Sequence, residues 1–383
     1  MENFKFCKIK RVGKATDLSK YSLAEAKKVE AFHKNINGYE PTPLVSLSKL
    51  AEYLGVKGIC IKDESYRFGL NAFKALGGSY CIHRILEKRR AAGIEEKPVF
   101  VTATDGNHGR GVAWAATREG CKSIVYMPRG SAQERLDNIK KAGAEAYILD
   151  MIYDNVVRFA AKQAEEKGWI LVQDTAWEGY EEYPELIMQG YLTMGLEAVR
   201  QLGDVKPTHL FLQAGVGSMT GSLAAFFASY YGEERPLTIT VEPSAADCMY
   251  ETALAADGRL HATKGNLKTI MAGLACGEPC LLAWDLLKDY ADYAVSMPDE
   301  IAAKGMRMLA NPLPGDTRII SGESGASCAG LAFSALEIPS LAKFKEEIGL
   351  DENSVVLCYS TEGATDRQNY LDIVWDGKHP SEK

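Results

Sequence analysis

From Val99 to Gln173 the chain alternates apolar strand and amphipathic helix without a break, and that alternation constrains the fold more than any other feature. Val99 to Thr104 reads as a strand, Gly111 to Glu119 as a helix, and Ser123 to Pro128 as a strand stopped by its proline. Ala132 to Ala142 reads as a helix and Glu145 to Leu149 as a strand. Asn155 to Lys167 is the next helix, with Gly168 as its C-cap, and Ile170 to Gln173 is a further strand. Strands joined through helices at this interval pair in parallel, with right-handed crossovers, in an open α/β sheet. A second series follows: helix from Tyr191 to Leu202, strand from Thr208 to Gln213, helix from Gly221 to Tyr231, strand from Leu237 to Glu242 and, near the end, strand from Ser354 to Tyr359. The expected class is α/β, with two open domains built on mostly parallel sheets. Residues 1–88 and 191–383 form the larger domain in this reading, and 89–190 the smaller, mobile one. No internal repeat or low-complexity tract interrupts it, and Lys378 to Lys383 alone reads as frayed.

Composition narrows the function classes. A chain of 383 residues, 46% hydrophobic, can bury the cores of two domains without disulfide staples. A net charge of −7 lacks the basic footprint of a nucleic-acid binder. The longest apolar runs, such as Leu223 to Ala228, fall far short of the roughly 20 residues of a membrane span. Met1 to Phe6 lacks the apolar stretch of a secretory leader, so the expectation is a soluble, cytoplasmic protein with neither nucleic-acid nor membrane partners. The nine cysteines are scattered, and the closest two are Cys276 and Cys280. A zinc site needs a second close pair, so no metal site is expected. Buried thiols, or a redox pair such as Cys276 with Cys248 or Cys280, are both open readings.

Three stretches carry candidate chemistry. Lys74 alone would read as a solvated lysine, but Phe73, Ala75 and Leu76 flank it with apolar groups, and Gly77-Gly78 permits close packing. A desolvated lysine has a depressed pKa and attacks carbonyls as the free amine. Gly215-Val216-Gly217-Ser218 leaves a strand and opens a helix, where free N–H groups at the positive helix end suit a phosphate and glycine lets it approach. The same pattern would suit a nucleotide, because Glu242 stands near where a dinucleotide fold places its acid, or a plain tight turn. Asp105, in Thr104-Asp105-Gly106-Asn107-His108-Gly109, and Asp174 both follow strand ends, where open α/β sheets bind ligands. Each also suits an N-cap or a turn. His108 reads as a capping, packing or hydrogen-bonding residue in preference to a general base. The other histidines (His33, His83, His209, His261, His379) have no metal-ligand spacing.

The order of lysine, asparagine loop and phosphate loop resembles the fold type II family of pyridoxal-phosphate enzymes, over about residues 40–370. That family includes serine and threonine dehydratases, cysteine synthase and the tryptophan synthase β chain. The resemblance implies pyridoxal 5'-phosphate in the cleft between the domains, and a homodimer. Lys74 would hold the cofactor as a Schiff base, and Asn107 would hydrogen-bond its phenolic oxygen. The amides of Gly215, Val216, Gly217 and Ser218 would hold its phosphate. In the turn Ser360-Thr361-Glu362-Gly363-Ala364, Thr361 would face the pyridine nitrogen, with Ser360 as the next choice. A hydroxyl partner makes the ring a milder electron sink, suited to β-elimination.

Within the family, Phe68–Lys74, Ala103–Gly111 and Gln173–Trp177 are similar to the branch that eliminates ammonia from 2,3-diaminopropionate. Dehydratases usually carry serine where this chain has Asp105, and a run of glycines where it has Val216 and Ser218. A diamine brings a second ammonium, which Asp105 and Asp174 would pair with. Two acids in one desolvated cleft also push their pKa values apart, which helps one act as base. The substrate site implied is Thr104, Asp105, Gly106, His108 and Asp174, with Lys74, Asp105 and Asp174 catalytic. The reaction implied is α,β-elimination of both isomers to pyruvate and two ammonia. The rival readings are a serine or threonine dehydratase, a β-replacement enzyme of the cysteine synthase kind, and a nucleotide-binding protein built on Gly215-Val216-Gly217.

Overall fold

The computed structural model describes residues 3–11, 15–104 and 106–381. Its strands are β1 (Lys5–Lys8), β2 (Leu44–Ser46), β3 (Gly58–Asp63), β4 (Val99–Ala103), β5 (Lys122–Met127), β6 (Glu145–Ile148), β7 (Ile170–Leu171), β8 (His209–Gln213), β9 (Leu237–Pro243), β10 (Tyr293–Met297) and β11 (Val355–Ser360). One sheet has the order β6-β5-β4-β7 and is parallel throughout. The other runs β1-β10-β9-β8-β11-β3-β2; its five inner strands are parallel, and β1 and β2 add antiparallel edges.

The alternating segments form the expected elements, and the differences have local causes. The helix read from Gly111 begins at Asn107, because the Thr104 hydroxyl accepts the amides of Gly106 (2.8 Å) and Gly109 (3.0 Å) and caps it early. The strand read through Gln173 stops at Leu171. Gln173 instead carries the link to β4 with its side chain, whose Oε1 accepts the Ala103 amide at 2.9 Å. The helix read from Tyr191 is Leu192–Leu202, preceded by a further helix, Glu182–Gly190, and the helix after β8 starts at Ser218. β10 is buried along its whole length, so Tyr-Ala-Val-Ser-Met shows no alternation to read.

Both faces of the larger sheet are covered. Phe211, Val241, Val295 and Val356 pack under the helices Asp299–Ala310 and Glu323–Glu337. Leu210, Leu212 and Leu357 pack on the other face, with Leu223, Phe226 and Phe227 of the helix Ser218–Tyr231. A buried ionic cluster of two cations and two carboxylates sits beside β3. Arg67 donates to Glu64 (2.8 and 2.9 Å) and to both oxygens of Glu197 (2.8 Å each), and Lys62 Nζ donates to Glu197 Oε2 at 2.7 Å. It fixes the start of the loop leading to Lys74. The described cysteines form no disulfide. Among the described residues no single helix is long and apolar enough to cross a membrane, and no group of three or more His, Cys, Asp or Glu could hold a metal ion.

Candidate active site

The carboxyl ends of β3, β8 and β11 in one sheet, and of β4 and β7 in the other, open on one cleft. Lys74 reaches it from the end of a loop that begins after β3. Phe68 (φ 51°) and Asn71 (φ 57°) stand in the left-handed region there, a conformation that costs side-chain-bearing residues energy and needs support. The support is a pair of strand-like bonds to the segment after β11: Phe73 N–H donates to Thr361 O (3.1 Å) and Gly363 N–H to Asn71 O (3.0 Å). Lys74 then stands at the start of the helix Ala75–Ala91. That helix crosses the helix Asn107–Arg118 backbone to backbone, since a Cβ on Gly111 would lie 3.0 Å from Lys74 O and Ala75 N.

Lys74 Nζ donates to Asp174 Oδ2, which is also 3.8 Å from His108 Nδ1. Burial pushes the Asp174 carboxyl up, but His108 and the Lys74 ammonium outweigh it and hold the group low, at about 2. Burial chiefly keeps His108 below its ordinary value, against the opposing pull of the Asp174 carboxylate. The His108 Nε2 bonds the Val172 carbonyl at 2.8 Å. His108 thus backs Asp174 from behind the cleft and does not line it. Gln173 Nε2 donates to Asp174 Oδ1 (3.2 Å) and to the Tyr153 hydroxyl (3.1 Å), and Tyr153 lines the cleft.

The glycine loop forms the floor. Gly217 has φ +92° and ends directly in the helix Ser218–Tyr231. Among the described residues, none of the amide N–H groups of residues 215–220 finds an acceptor within the protein. The Ser218 and Thr220 hydroxyls are turned away, to the carbonyls of Asp174 and Gln213. Amides without a protein acceptor, on residues that line the cleft at a helix N-terminus, suit an anion. The rival nucleotide reading loses its acid here, because both oxygens of Glu242 accept helix amides, from Met249 (2.8 Å) and Tyr250 (2.7 Å).

On the wall after β11, the Thr361 hydroxyl lines the cleft and accepts from Gln213 Nε2 at 2.9 Å. Ser360 points elsewhere, into a 2.8 Å bond with Ser321. Asn107 lines the opposite side and donates through Nδ2 to Glu362. The structure therefore brings together Lys74, Asn107, Asp174, Thr361 and Gly215 to Ser218. Thr104 and Gly106 shape the helix start behind the cleft, with the Thr104 hydroxyl spent on its cap. Asp105 lies outside the described residues. Glu362, Gln213 and Tyr153 were not singled out from the sequence. Glu362 stands one residue after Thr361, just beyond a strand end, and its charge in a turn usually built from small residues was the available signal.

The comparisons with known proteins agree with this geometry. The model for the family "Pyridoxal-phosphate dependent enzyme" matches residues 36–350. Diaminopropionate ammonia-lyase of Escherichia coli (strain K12) is 48% identical over 373 residues, spanning 94% of this chain and 93% of the relative. Its counterpart in Salmonella typhimurium is 47% identical over 389 residues, 96% of each chain. The crystal structure of the E. coli enzyme in complex with an aminoacrylate-PLP azomethine reaction intermediate superposes with a TM-score of 0.92 at 47% identity, covering 98% of both chains. The same enzyme has been solved in complex with D-serine, with a TM-score of 0.92 at 45% identity. Threonine deaminase isoform 2 of Solanum lycopersicum, with a TM-score of 0.76 at 21% identity, shares the fold. The residues present fit pyridoxal phosphate: an amide cradle for its phosphate, a lysine amine for its aldehyde, a hydroxyl and a carboxamide for its ring. With that donor set in one cleft between two α/β sheets, the chain belongs to the pyridoxal-phosphate dependent enzymes, and its fold is type II.

Proposed function

We propose that the protein eliminates ammonia from 2,3-diaminopropionate, releasing pyruvate and two molecules of ammonia. The observation that carries this is the Lys74–Asp174 pair facing an amide cradle, in a chain 47–48% identical to diaminopropionate ammonia-lyases along nearly its whole length. Pyridoxal phosphate bound there supplies an electron sink for the pair left on Cα when its proton departs. Lys74 supplies the amine that tethers it, and the amides of Gly215, Val216, Gly217 and Ser218 take its phosphate. Gln213 fills a lone pair of the Thr361 hydroxyl, so that the hydroxyl hydrogen would be left for the ring nitrogen. Asn107 would hydrogen-bond the phenolic oxygen.

Lys74, once released, or Asp174 serves as proton acceptor on one face of Cα, for the L-isomer. When the Lys74 amine is engaged, its charge no longer joins His108 in opposing burial at Asp174, and that carboxyl rises from its low value. Asp105 serves the other face, for the D-isomer. The two carboxylates also receive the second ammonium of the diamine. The β-amino group leaves only after it has taken up a proton, because an amide anion cannot leave. Thr104, Gly106 and His108 complete the substrate side, as its capped helix start and the support of Asp174.

We further propose that residues 89–190 move as the smaller domain against 1–88 and 191–383, a division supported by β4 to β7 falling within 99–171. The family resemblance supports a homodimer. Cysteines without disulfides suit a reducing, cytoplasmic compartment. The test is ammonia and pyruvate release from D- and L-diaminopropionate, set against serine, threonine, and serine with a sulfur nucleophile. Diaminopropionate is expected to exceed serine by roughly a hundredfold or more in kcat/KM. Faster turnover of serine would establish the dehydratase reading instead, and incorporation of sulfur the β-replacement reading. Asp105→Asn is expected to lose far more rate with the D- than with the L-isomer; an equal loss contradicts the assignment of faces.

A further inference from the structure

Glu362 is 1% exposed, lines the cleft, and has no part in the chemistry described so far. Its carboxylate gathers donors from three segments. Asn107 Nδ2 and the Thr365 hydroxyl (3.1 Å) bind Oε2, and the Ser324 amide (3.3 Å) binds Oε1. Its backbone is fixed as well, with the carbonyl accepting Gly322 N–H at 2.9 Å and the residue bridged to Ala72, two positions before Lys74. Glu323 next to it is also buried, and burial together with the charge of Glu362 pushes it up to about 7.

A carboxylate accepts hydrogen bonds and cannot donate them, so it imposes a direction on a carboxamide beside it. Asn107 must turn Nδ2, not Oδ1, toward Glu362. The second N–H of that nitrogen is then left for the cleft that Asn107 lines. Asn107 starts the helix after β4 in the four-stranded sheet, and Glu362 follows β11 in the seven-stranded one, so the contact also spans the cleft. We propose that Glu362 is a positioning residue of the cofactor site, holding the Asn107 carboxamide with its N–H toward the cofactor's phenolic oxygen. This rests on the placement of that oxygen at Asn107 given above. Glutamine at 362 would offer a donor and an acceptor in the same place, and Asn107 would then pair either way round.

The test is a pH titration of the visible absorption band of the holoenzyme in the parent protein, Asn107→Ala, Glu362→Gln, Glu362→Asp and the Asn107→Ala/Glu362→Gln double variant. Asn107→Ala and Glu362→Gln are each expected to move the midpoint by about one pH unit. Glu362→Asp, which keeps the acceptor, is expected to restore at least half of the shift. In the Asn107→Ala background, Glu362→Gln is expected to move the midpoint less than half as far as it does alone. In Glu362→Gln and Glu362→Asp, cofactor affinity titrated into the apo form is expected to stay within about threefold, because the phosphate cradle and the Asn107 side chain are both kept. A Glu362→Gln midpoint equal to that of the parent overturns the positioning role, as does a shift that survives by half or more without Asn107. An unchanged midpoint in Asn107→Ala shows instead that the phenolic oxygen is not at Asn107, and removes both claims. Should Glu362→Gln fail to fold, Thr365→Val removes a donor to the same carboxylate oxygen and is expected to give a smaller shift of the same sign; no shift there overturns the role.

Discussion

Gly217→Ala separates holding the cofactor from holding the fold. Gly217 sits at φ +92°, where a residue with a Cβ is strained by about 1–2 kcal/mol. The added methyl would lie 2.3 Å from Met249 Cε and 3.2 Å from Ala283 Cβ. The Met249 methyl can swing aside; Ala283 sits in the helix Leu281–Tyr290 and can yield only slightly, so the loop shifts instead. The apo protein is expected to lose about 1–2 kcal/mol of stability. The larger effect falls on the amides of residues 215–220. A hydrogen bond to a charged group is worth about 1.5–3 kcal/mol, so misaiming one of them weakens cofactor binding roughly 10- to 100-fold. Titrating pyridoxal phosphate into the apo variant, with absorption as the signal, reads the dissociation constant; thermal unfolding of the apo form reads the fold. Gly168→Ala is the control, also left-handed (φ +66°) and with open space around its Cβ. It should lose about 1 kcal/mol and leave affinity unchanged. A Gly217→Ala protein that is destabilised yet binds the cofactor as tightly as the parent would refute the phosphate cradle.

Two further outcomes concern buried charge. Glu197→Ala leaves Lys62 and Arg67 facing Glu64 alone in a fully buried site and is expected to cost about 3–5 kcal/mol in urea unfolding; a loss below about 1 kcal/mol would show the cluster to be dispensable. Glu323 binds its proton more tightly folded than unfolded, because burial raises it from 4.5 to about 7, so its contribution is full at low pH and is lost as pH rises through that range. Over pH 5 to 8 this amounts to about 3 kcal/mol, and Glu323→Gln is expected to flatten that fall; an unchanged slope would contradict the assignment. Asp174 has the opposite sign: held at about 2, it stabilises the fold above the ordinary carboxylate range and loses that contribution as pH falls toward 2, and Asp174→Asn is expected to remove this acid-side loss in apo-protein unfolding.

The crossover pattern was legible because β4, β5 and β6 are short runs set off by Pro98, Gly120, Pro128 and Gly143, and the helices between them are amphipathic. β10 was not, since a strand buried on both faces carries no alternation, and neither were the short edge strands β1 and β2, whose antiparallel pairing depends on partners distant in sequence. At the site, Lys74 and the glycine loop announce themselves through local chemistry: apolar flanks in one case, absent Cβ atoms in the other. The role of His108 depends on what faces it, and that is Asp174 and the Val172 carbonyl, more than sixty residues away. The family resemblance implied Thr104 on the substrate side, and its hydroxyl accepts two amides of its own turn. Glu362 was passed over because its partners, Asn107, Ser324 and Thr365, converge only in three dimensions.

The most direct measurement is borohydride reduction of the holoenzyme followed by peptide mass mapping. A single pyridoxyl mark on Lys74, absent from Lys74→Ala along with the visible absorption band, is the expected result. A mark on another lysine, or a Lys74→Ala protein that keeps both the band and its turnover, would contradict the assignment of Lys74 on which the proposed chemistry stands.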